Sequence, residues 1–209
     1  QGSQTEAKLN GYLIDVQTPD LLIEIQTRNF GSLRPKLEAL LPDHKIRIVY
    51  ANPQEKWLVK INAEGEMLER RRSPRRGRIE HLFQQLVYLP AYLQHPHFSL
   101  EVLMIQEEEL RRNDGRGSWR RGGWSICDRR AVCIVERHLF EQPADFLALL
   151  PDALLEPFST RELATAARIP TRLAYQMVYT LRQLGLIEQT GQRGRTRLFR
   201  RSSHSTSGG

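Results

Sequence analysis

The C-terminal part of the chain has the sequence pattern that most constrains how the chain can fold. Ser159-Thr160-Arg161-Glu162 is a capping box, in which the serine and the glutamate satisfy backbone groups at the start of a helix. Residues 172–184 are amphipathic at helical spacing, and Gly185 follows where a helix end favours glycine. Two short apolar runs then flank the basic turn Arg193-Gly194-Arg195. The pattern predicts helix, turn, helix and β-hairpin over residues 157–201.

This order of elements resembles the winged-helix family across the whole segment. In that family the second helix usually enters the major groove of DNA, while the wing lies along the backbone or the minor groove. The resemblance implies DNA contacts by Thr171, Arg172, Tyr175 and Gln176 on the second helix and by Arg193 and Arg195 on the wing. The charge agrees, with nine arginines against two glutamates in residues 157–201. Winged helices also dock proteins, so an adaptor role stays open.

Strand and helix signals alternate in the first half of the chain, which predicts an α/β (α+β) domain with a mixed sheet. Predicted strands lie at 12–16, 21–26, 45–51, 56–61 and 99–105, and predicted helices at 32–41 and 77–93. We expect this domain at residues 4–105 and the winged helix at 151–203. Residues 106–150 would form a connector that packs on the first domain.

The connector has seven arginines between residues 111 and 130, interleaved with glycines, Trp119 and Trp124. Arginine and tryptophan in a glycine-rich loop can grip a phosphate backbone and stack on bases. The alternative is a solvated loop that places its two tryptophans against the first domain, and we favour this alternative slightly.

A β-hairpin over residues 15–26 gives the sharpest chemical signal. If the turn is symmetric about Thr18 and Pro19, Asp15, Glu24 and Gln26 lie on one face of the hairpin, because side chains alternate along strands. Its apolar residues would then form the buried face. Two carboxylates so placed can share a hard cation such as Mg²⁺ or Mn²⁺. The alternative is an amphipathic strand with a polar outer face and no chemistry.

The hairpin resembles the PD-(D/E)xK, or restriction-endonuclease-like, nuclease superfamily, in which an aspartate, a turn and Glu-x-Lys or Glu-x-Gln follow one another. The resemblance implies that Asp15 and Glu24 are metal ligands and that Gln26 takes the place of the lysine beside the attacking water. Gln26 cannot supply a positive charge, so catalysis would be weaker or would rely on another cation, either Lys36 on the following helix or Arg28. The superfamily's core usually begins with a helix, whereas this chain starts almost directly on a strand.

The chain also resembles an uncharacterised bacterial family with the same Glu-Ile-Gln-Thr strand, the Arg-Arg-Ser-Pro turn and a C-terminal winged helix. That resemblance covers nearly the whole chain. Nucleases of the superfamily often cut two strands as dimers, so a homodimer or a partner protein is a further expectation.

Positive charge supports a polyanionic partner. The formal net charge is +7, and arginine dominates, with 26 Arg and 5 Lys. Six arginines stand within residues 70–78, a run that favours salt-dependent phosphate contacts over a solubilising loop. From this run we expect DNA contacts by Arg70, Arg71, Arg72, Arg75 and Arg76.

Other function classes find little support. The two cysteines, Cys127 and Cys133, suit neither a disulfide framework nor a zinc site, and we expect them to be buried in or beside a strand. No run of about 20 apolar residues could span a bilayer, and no signal peptide is visible, so a cytoplasmic location is expected. Three readings remain open: a metal-dependent DNA endonuclease, a non-catalytic DNA-binding protein with a degenerate nuclease domain, and an adaptor.

Overall fold

The computed structural model describes residues 3–117, 119 and 122–203. Arg120 and Arg121 of the predicted connector lie outside these residues. The chain forms two compact units. The first contains the residues up to Tyr50, Glu80–Glu101 and those from Leu139 onward, and the second contains Ala51–Ile79 and Val102–His138. The units divide the chain at other places than the predicted boundaries at 105 and 150.

The sheet of the first unit starts with three antiparallel strands and continues with a strand that is parallel to the third. Strands β1 (Gln4–Leu9), β2 (Tyr12–Gln17) and β3 (Leu22–Gln26) pair antiparallel in sequence order, and β3 pairs parallel with β4 (Ile46–Ile61). A 3-10 turn at Phe30–Leu33 and helix α1 (Arg34–Leu40) connect the parallel strands. The predicted mixed sheet in an α/β fold is therefore confirmed.

Three predicted elements differ from those observed. The two strands predicted at 45–51 and 56–61 are one continuous strand, β4, because Pro53 is accommodated without ending it. The second predicted helix is short: a 3-10 turn at Ile79–Leu82 followed by α2 (Phe83–Leu86). The predicted irregular connector is largely extended, since β6 covers Phe98–Asn113 and β7 covers Trp124–Phe140.

The second unit is built on strands. β5 (Met67–Arg72) pairs antiparallel with the C-terminal half of β4, and the strand order of the sheet is β1-β2-β3-β4-β6-β7 with β5 attached to β4. Val59, Ile61 and Leu110 form a small buried apolar cluster in this unit. Cys127 and Cys133 are free and exposed on β7, so the expectation that they lie in a strand is right and the expectation of burial is wrong.

Helix, turn, helix and hairpin follow in the C-terminal segment, as predicted. The elements are α3 (Thr160–Ala166), α4 (Thr171–Gln183), β8 (Ile187–Arg193) and β9 (Thr196–Arg201). Ser159 and Glu162 form the predicted capping box, and α4 ends in a Schellman pattern at Gly185, whose φ is +69°. The apolar side of α4 is buried together with Phe158 and Phe199.

Among the helices in the described residues, none is both long and apolar enough to cross a bilayer.

Candidate functional site

The hairpin of β2 and β3 brings Asp15 level with Glu24. Gln17 pairs with Leu22, and the same ladder continued places Asp15 opposite Glu24. The predicted register, with Asp15 opposite Leu22, is wrong by two residues. An even shift keeps every side chain on its predicted side of the strand, so the two carboxylates still belong to one site.

The turn explains this register. The backbone N–H and the hydroxyl of Thr18 both donate to the Leu21 carbonyl, at 2.9 and 3.0 Å, and the Leu21 N–H donates to the Thr18 hydroxyl. These bonds close a four-residue turn from Thr18 to Leu21, so Gln17 pairs with Leu22, two residues farther along the chain than the Asp20 expected for a turn centred on Thr18 and Pro19.

Asp15 is fixed to the neighbouring strand. Its Oδ2 accepts a hydrogen bond from the Ile25 N–H at 2.7 Å. The side chain thus satisfies a backbone donor of β3 and holds its carboxylate at Ile25, the residue that follows Glu24.

Glu24 is a buried carboxylate, with 7% of the residue exposed. Its Oε1 lies 2.7 Å from Lys36 Nζ, while Oε2 is buried and has no hydrogen-bond partner among the described residues. A buried carboxylate oxygen without a donor costs free energy. The arrangement therefore leaves one strong, unused acceptor in the site.

Lys36 is placed by α1, which begins with Pro35 in its first turn. Besides its ion pair with Glu24, Nζ donates to the Leu13 carbonyl on β2 at 2.7 Å. The lysine thus connects α1 to both strands of the hairpin. The structure brings together Asp15, Glu24 and Lys36, which the sequence distributes over two strands and a helix.

Gln26 lies farther along β3, on the same side of the strand as Glu24. Its backbone is level with Tyr50 of β4, and its side chain makes no hydrogen bond within the described part of the chain. Tyr50 packs edge-on against Phe30, with ring centroids 5.3 Å apart, and burial raises the pKa of the tyrosine. The end of β3 is therefore anchored while the Gln26 amide stays available.

The buried face of the hairpin differs from the predicted one. Ile14 is buried as predicted, but Ile25 is 52% exposed, and Leu22 and Glu24 are buried on the opposite face, which was expected to be the polar one. The predicted apolar face is wrong in this part because Lys36 lies over the Glu24 side of β3 and supplies its countercharge. Alternation alone does not say which face a neighbouring helix will cover.

The side chains of the site suit a hard cation that takes only a few of its ligands from the protein. No group of three or more His, Cys, Asp or Glu side chains that could hold a metal occurs among the described residues. Asp15 and Glu24 provide two carboxylates, and the buried Glu24 Oε2 lacks a partner. Mg²⁺ is commonly bound by one or two carboxylates, with waters and substrate phosphate completing its shell. The residues present fit that pattern.

A second candidate site is a groove of about 720 Å³ between α4 and the β8–β9 hairpin. Tyr175 and Tyr179 project from α4 and are 62% and 46% exposed. The groove is basic, since five arginines line it: Arg161, Arg182, Arg193, Arg195 and Arg197. Guanidinium groups and exposed aromatic rings are the side chains that contact phosphates and stack on bases.

Three α4 residues that were predicted to contact DNA line two different cavities. Tyr175 lines the groove with Arg193 and Arg195, whereas Arg172 and Gln176 line another cavity, of about 570 Å³. That cavity also has Asn29, Gln84, Gln85 and Tyr88 on its wall. The structure therefore does not place the predicted set on one surface.

Tyr179 and Arg182 were not predicted as contacts, and they lie one and two turns beyond Tyr175 on α4. Their spacing on the exposed stripe of the helix was the available signal. Arg161 of α3 and Arg197 of β9 were also missed, because only the tertiary fold brings them to the groove.

The groove also has an internal ion pair. Arg193 Nη1 lies 3.0 Å from Glu162 Oε1. The hydrogen bonds from the backbone and side chain of Ser159, followed by the one from Arg193, lower the pKa of Glu162 to about 2. The carboxylate is thus ionised at neutral pH and holds Arg193 of the β8–β9 hairpin against the start of α3.

The basic run at residues 70–76 is largely paired within the second unit. Arg70 lies 2.8 Å from Glu108 and stacks on Trp57, with 3.9 Å to the ring centroid. Arg72 and Arg76 both contact Glu55.

Two arginines of the run remain. Arg71 lies 3.6 Å from Glu69. Arg75 has no acidic partner within the described part of the chain. Residues 70–72 of the predicted loop thus belong to strand β5, and intramolecular ion pairs already use Arg70, Arg71, Arg72 and Arg76.

The chain matches a protein family for which no activity is described. The family described as "Domain of unknown function (DUF8091)" matches residues 1–141, and the chain belongs to this family. The chain is also similar to an uncharacterized protein of Treponema pallidum (strain Nichols), with 30% identity over 203 residues. That alignment covers 96% of this chain and 80% of the relative, so it extends beyond residue 141. No solved structure matches the chain.

Proposed function

We propose that this protein is a metal-dependent DNA endonuclease, and that a winged helix formed by its C-terminal segment grips the substrate. The observation that supports catalysis best is the buried Glu24 carboxylate, whose Oε2 has no partner in the described residues while Lys36 contacts its Oε1. Together with Asp15, this arrangement matches the carboxylate pair and cation that the resemblance to the PD-(D/E)xK superfamily implies.

In this proposal Asp15 and Glu24 hold Mg²⁺ or Mn²⁺. When bound, the ion lowers the pKa of a water ligand and stabilises negative charge on the scissile phosphate. Lys36 provides the positive charge that Gln26 lacks, and the Gln26 amide orients the attacking water by hydrogen bonding. Water adds to phosphorus, the P–O bond to one deoxyribose breaks, and the departing oxygen takes up a proton.

The basic groove supports DNA as the substrate. Its arginines can pair with phosphates, and Tyr175 and Tyr179 offer aromatic faces beside them. Duplex DNA is the form that a winged helix usually binds. The same groove favours the second candidate function, a non-catalytic DNA-binding protein, which would need the groove and not the carboxylates.

Plasmid cleavage with Mg²⁺ or Mn²⁺ tests the proposal. Supercoiled plasmid should be nicked or cut by the wild type and by Asp20→Asn, a matched control whose aspartate lies exposed in the turn between β2 and β3. Glu24→Gln and Asp15→Asn should lose cleavage and keep their affinity for DNA. Cleavage that persists in both variants would refute the assigned site.

Binding without cleavage by the wild type would favour the non-catalytic DNA-binding protein. For phosphate contacts, the affinity should fall steeply between about 50 and 200 mM salt. Absence of DNA binding would favour the adaptor role instead.

A further inference from the structure

We propose that β7 is a self-pairing edge strand, through which two copies of this chain associate by antiparallel β7–β7 pairing centred on Cys133. The proposal does not depend on the nuclease assignment. It rests on the exposure of the strand, on the absence of edge protection in its centre and on the charge pattern of its sequence.

β7 ends the strand order of the sheet, so its outer edge has no partner strand among the described residues. Residues 127–137 are all exposed, although side chains on a strand alternate between two faces. This part of β7 is therefore accessible on both faces as well as along its edge.

The exposed strand has an apolar centre. Val132, Ile134 and Val135 are 51%, 43% and 45% exposed, and Ala131 and Cys133 complete an uncharged stretch. Edge strands are usually protected by lysine, proline or a covering element, because their free N–H and C=O groups can pair with another strand. β7 contains neither lysine nor proline. Pairing with another strand would cover its apolar centre and its free backbone groups.

The charges on both sides of this centre identify a second copy as the partner. Residues opposite each other in antiparallel strands point to the same face of the sheet, and a two-fold axis keeps each residue on its own face. The axis must therefore lie midway between the two copies of one residue. With the axis at Cys133, Arg130 lies opposite Glu136 of the other copy, and Asp128 lies opposite His138. Each of these pairs occurs twice by symmetry. Within each chain Arg130 already pairs with Asp128 and His138 with Glu136, so association would extend these two pairs into a network of four side chains.

The two neighbouring registers are less favourable. An axis at Ile134 would place Arg130 opposite His138 and Val132 opposite Glu136, without any opposite-charge pair. An axis at Val132 would place Asp128 opposite Glu136, which are like charges, and such pairs destabilise a sheet. In the register centred on Cys133, Arg129 lies opposite Arg137. This repulsion is reduced because Arg129 is already paired with Glu109 at 3.5 Å.

The register predicts a specific proximity of thiols. Directly opposite residues in antiparallel strands have Cα atoms about 4.5 to 5.5 Å apart, which is within the range that a disulfide spans. Cys133 would face its own copy, while Cys127 would lie far from both cysteines of the other chain. Both cysteines are exposed, so they serve as matched probes on one strand.

The test combines mass measurement with charge exchange on the full chain. Light scattering should give twice the chain mass of 24.3 kDa for the wild type. Arg130→Glu alone should raise the dimer dissociation constant on the order of tenfold, since two opposite-charge pairs become like-charge pairs. Arg130→Glu combined with Glu136→Arg should restore wild-type association. A wild-type chain that stays monomeric at the highest attainable concentration would overturn the proposal.

Mild oxidation gives an independent readout that does not rely on these variants. An added oxidant should cross-link the wild type and Cys127→Ser into covalent dimers but leave Cys133→Ser monomeric on a non-reducing gel. Cross-linking through Cys127, or an equal yield from both single variants, would refute the register. A complex with DNA or with another protein that forms without chain dimers would likewise count against self-pairing.

Discussion

Lys36 Nζ lies 2.7 Å from Glu24 Oε1 and donates at the same time to the Leu13 carbonyl, so one ammonium group joins α1 to both strands of the carboxylate hairpin. The side chains of the pair are 16% and 10% exposed. A pair so little hydrated affects stability strongly when one partner is removed. The same pair holds the substitute cation at the carboxylate where the proposed chemistry needs it.

Lys36→Met should destabilise the protein, because it leaves the Glu24 carboxylate buried without a countercharge. We expect a loss of about 3 kcal/mol in the free energy of unfolding, measured by urea denaturation. Arg34→Met, at an exposed position of the same helix, is the control and should change little. Equal losses in the two variants would show that the effect belongs to the helix and not to the ion pair.

Metal binding should stabilise the folded chain through the carboxylates. Mn²⁺ at a hundredfold excess over its dissociation constant would add about 2.7 kcal/mol if it binds only the folded state. A thermal shift should therefore appear in the wild type and in Asp20→Asn, and should be lost in Glu24→Gln. A shift of the same size in Glu24→Gln would place the bound ion elsewhere.

The α3 cap should respond to acid. The folded-state pKa of Glu162 is about 2, below its ordinary value of 4.5, because of its bonds with Ser159 and Arg193. A depressed pKa contributes stability above the unfolded value, and this contribution is lost as pH falls through the folded value. Wild type should therefore be more stable than Glu162→Gln at pH 7, with the difference vanishing between pH 4.5 and about 2.

Chemical denaturation across this pH range would measure the effect. Glu188→Gln removes an exposed carboxylate bonded to Arg200 in the same module and is the control. A difference between wild type and Glu162→Gln that is independent of pH would contradict the assigned role.

Gly77 should tolerate no side chain. A Cβ there would lie 2.1 Å from the Pro53 carbonyl oxygen, so the backbone of β4 would have to move. Gly77→Ala should cost about 1 to 3 kcal/mol, the usual range for overpacking. Gly191→Ala, where nothing lies within 4 Å, is the matched control. Thermal unfolding of both variants decides the point.

Substitution of an arginine in the groove should lower the affinity for DNA more than substitution of an arginine on β5. Arg195→Ala should weaken DNA binding and lower the salt slope by about one. Arg71→Ala removes an arginine already beside Glu69 and should have a smaller effect. Titrations at several salt concentrations compare them, and the opposite order would favour β5 as the DNA-binding surface.

The sequence by itself determined the local elements whose signals are contiguous. The Ser159–Glu162 capping box, Gly185 after α4 and the β2–β3 hairpin were predicted because each depends on residues close together in the chain. Lys36 was named as a substitute cation because it lies on the helix that follows the hairpin. These features require no knowledge of distant contacts.

Only the tertiary structure decided which residues meet. Lys36 of α1 lies against the Glu24 side of β3, and this contact determined that Glu24 rather than Ile25 is buried. Packing of α4 separated Arg172 from Tyr175, and the pairing of β5 with β4 placed Arg72 beside Glu55. Periodicity gives the faces of an element, but which neighbour covers each face depends on long-range packing that no local pattern encodes.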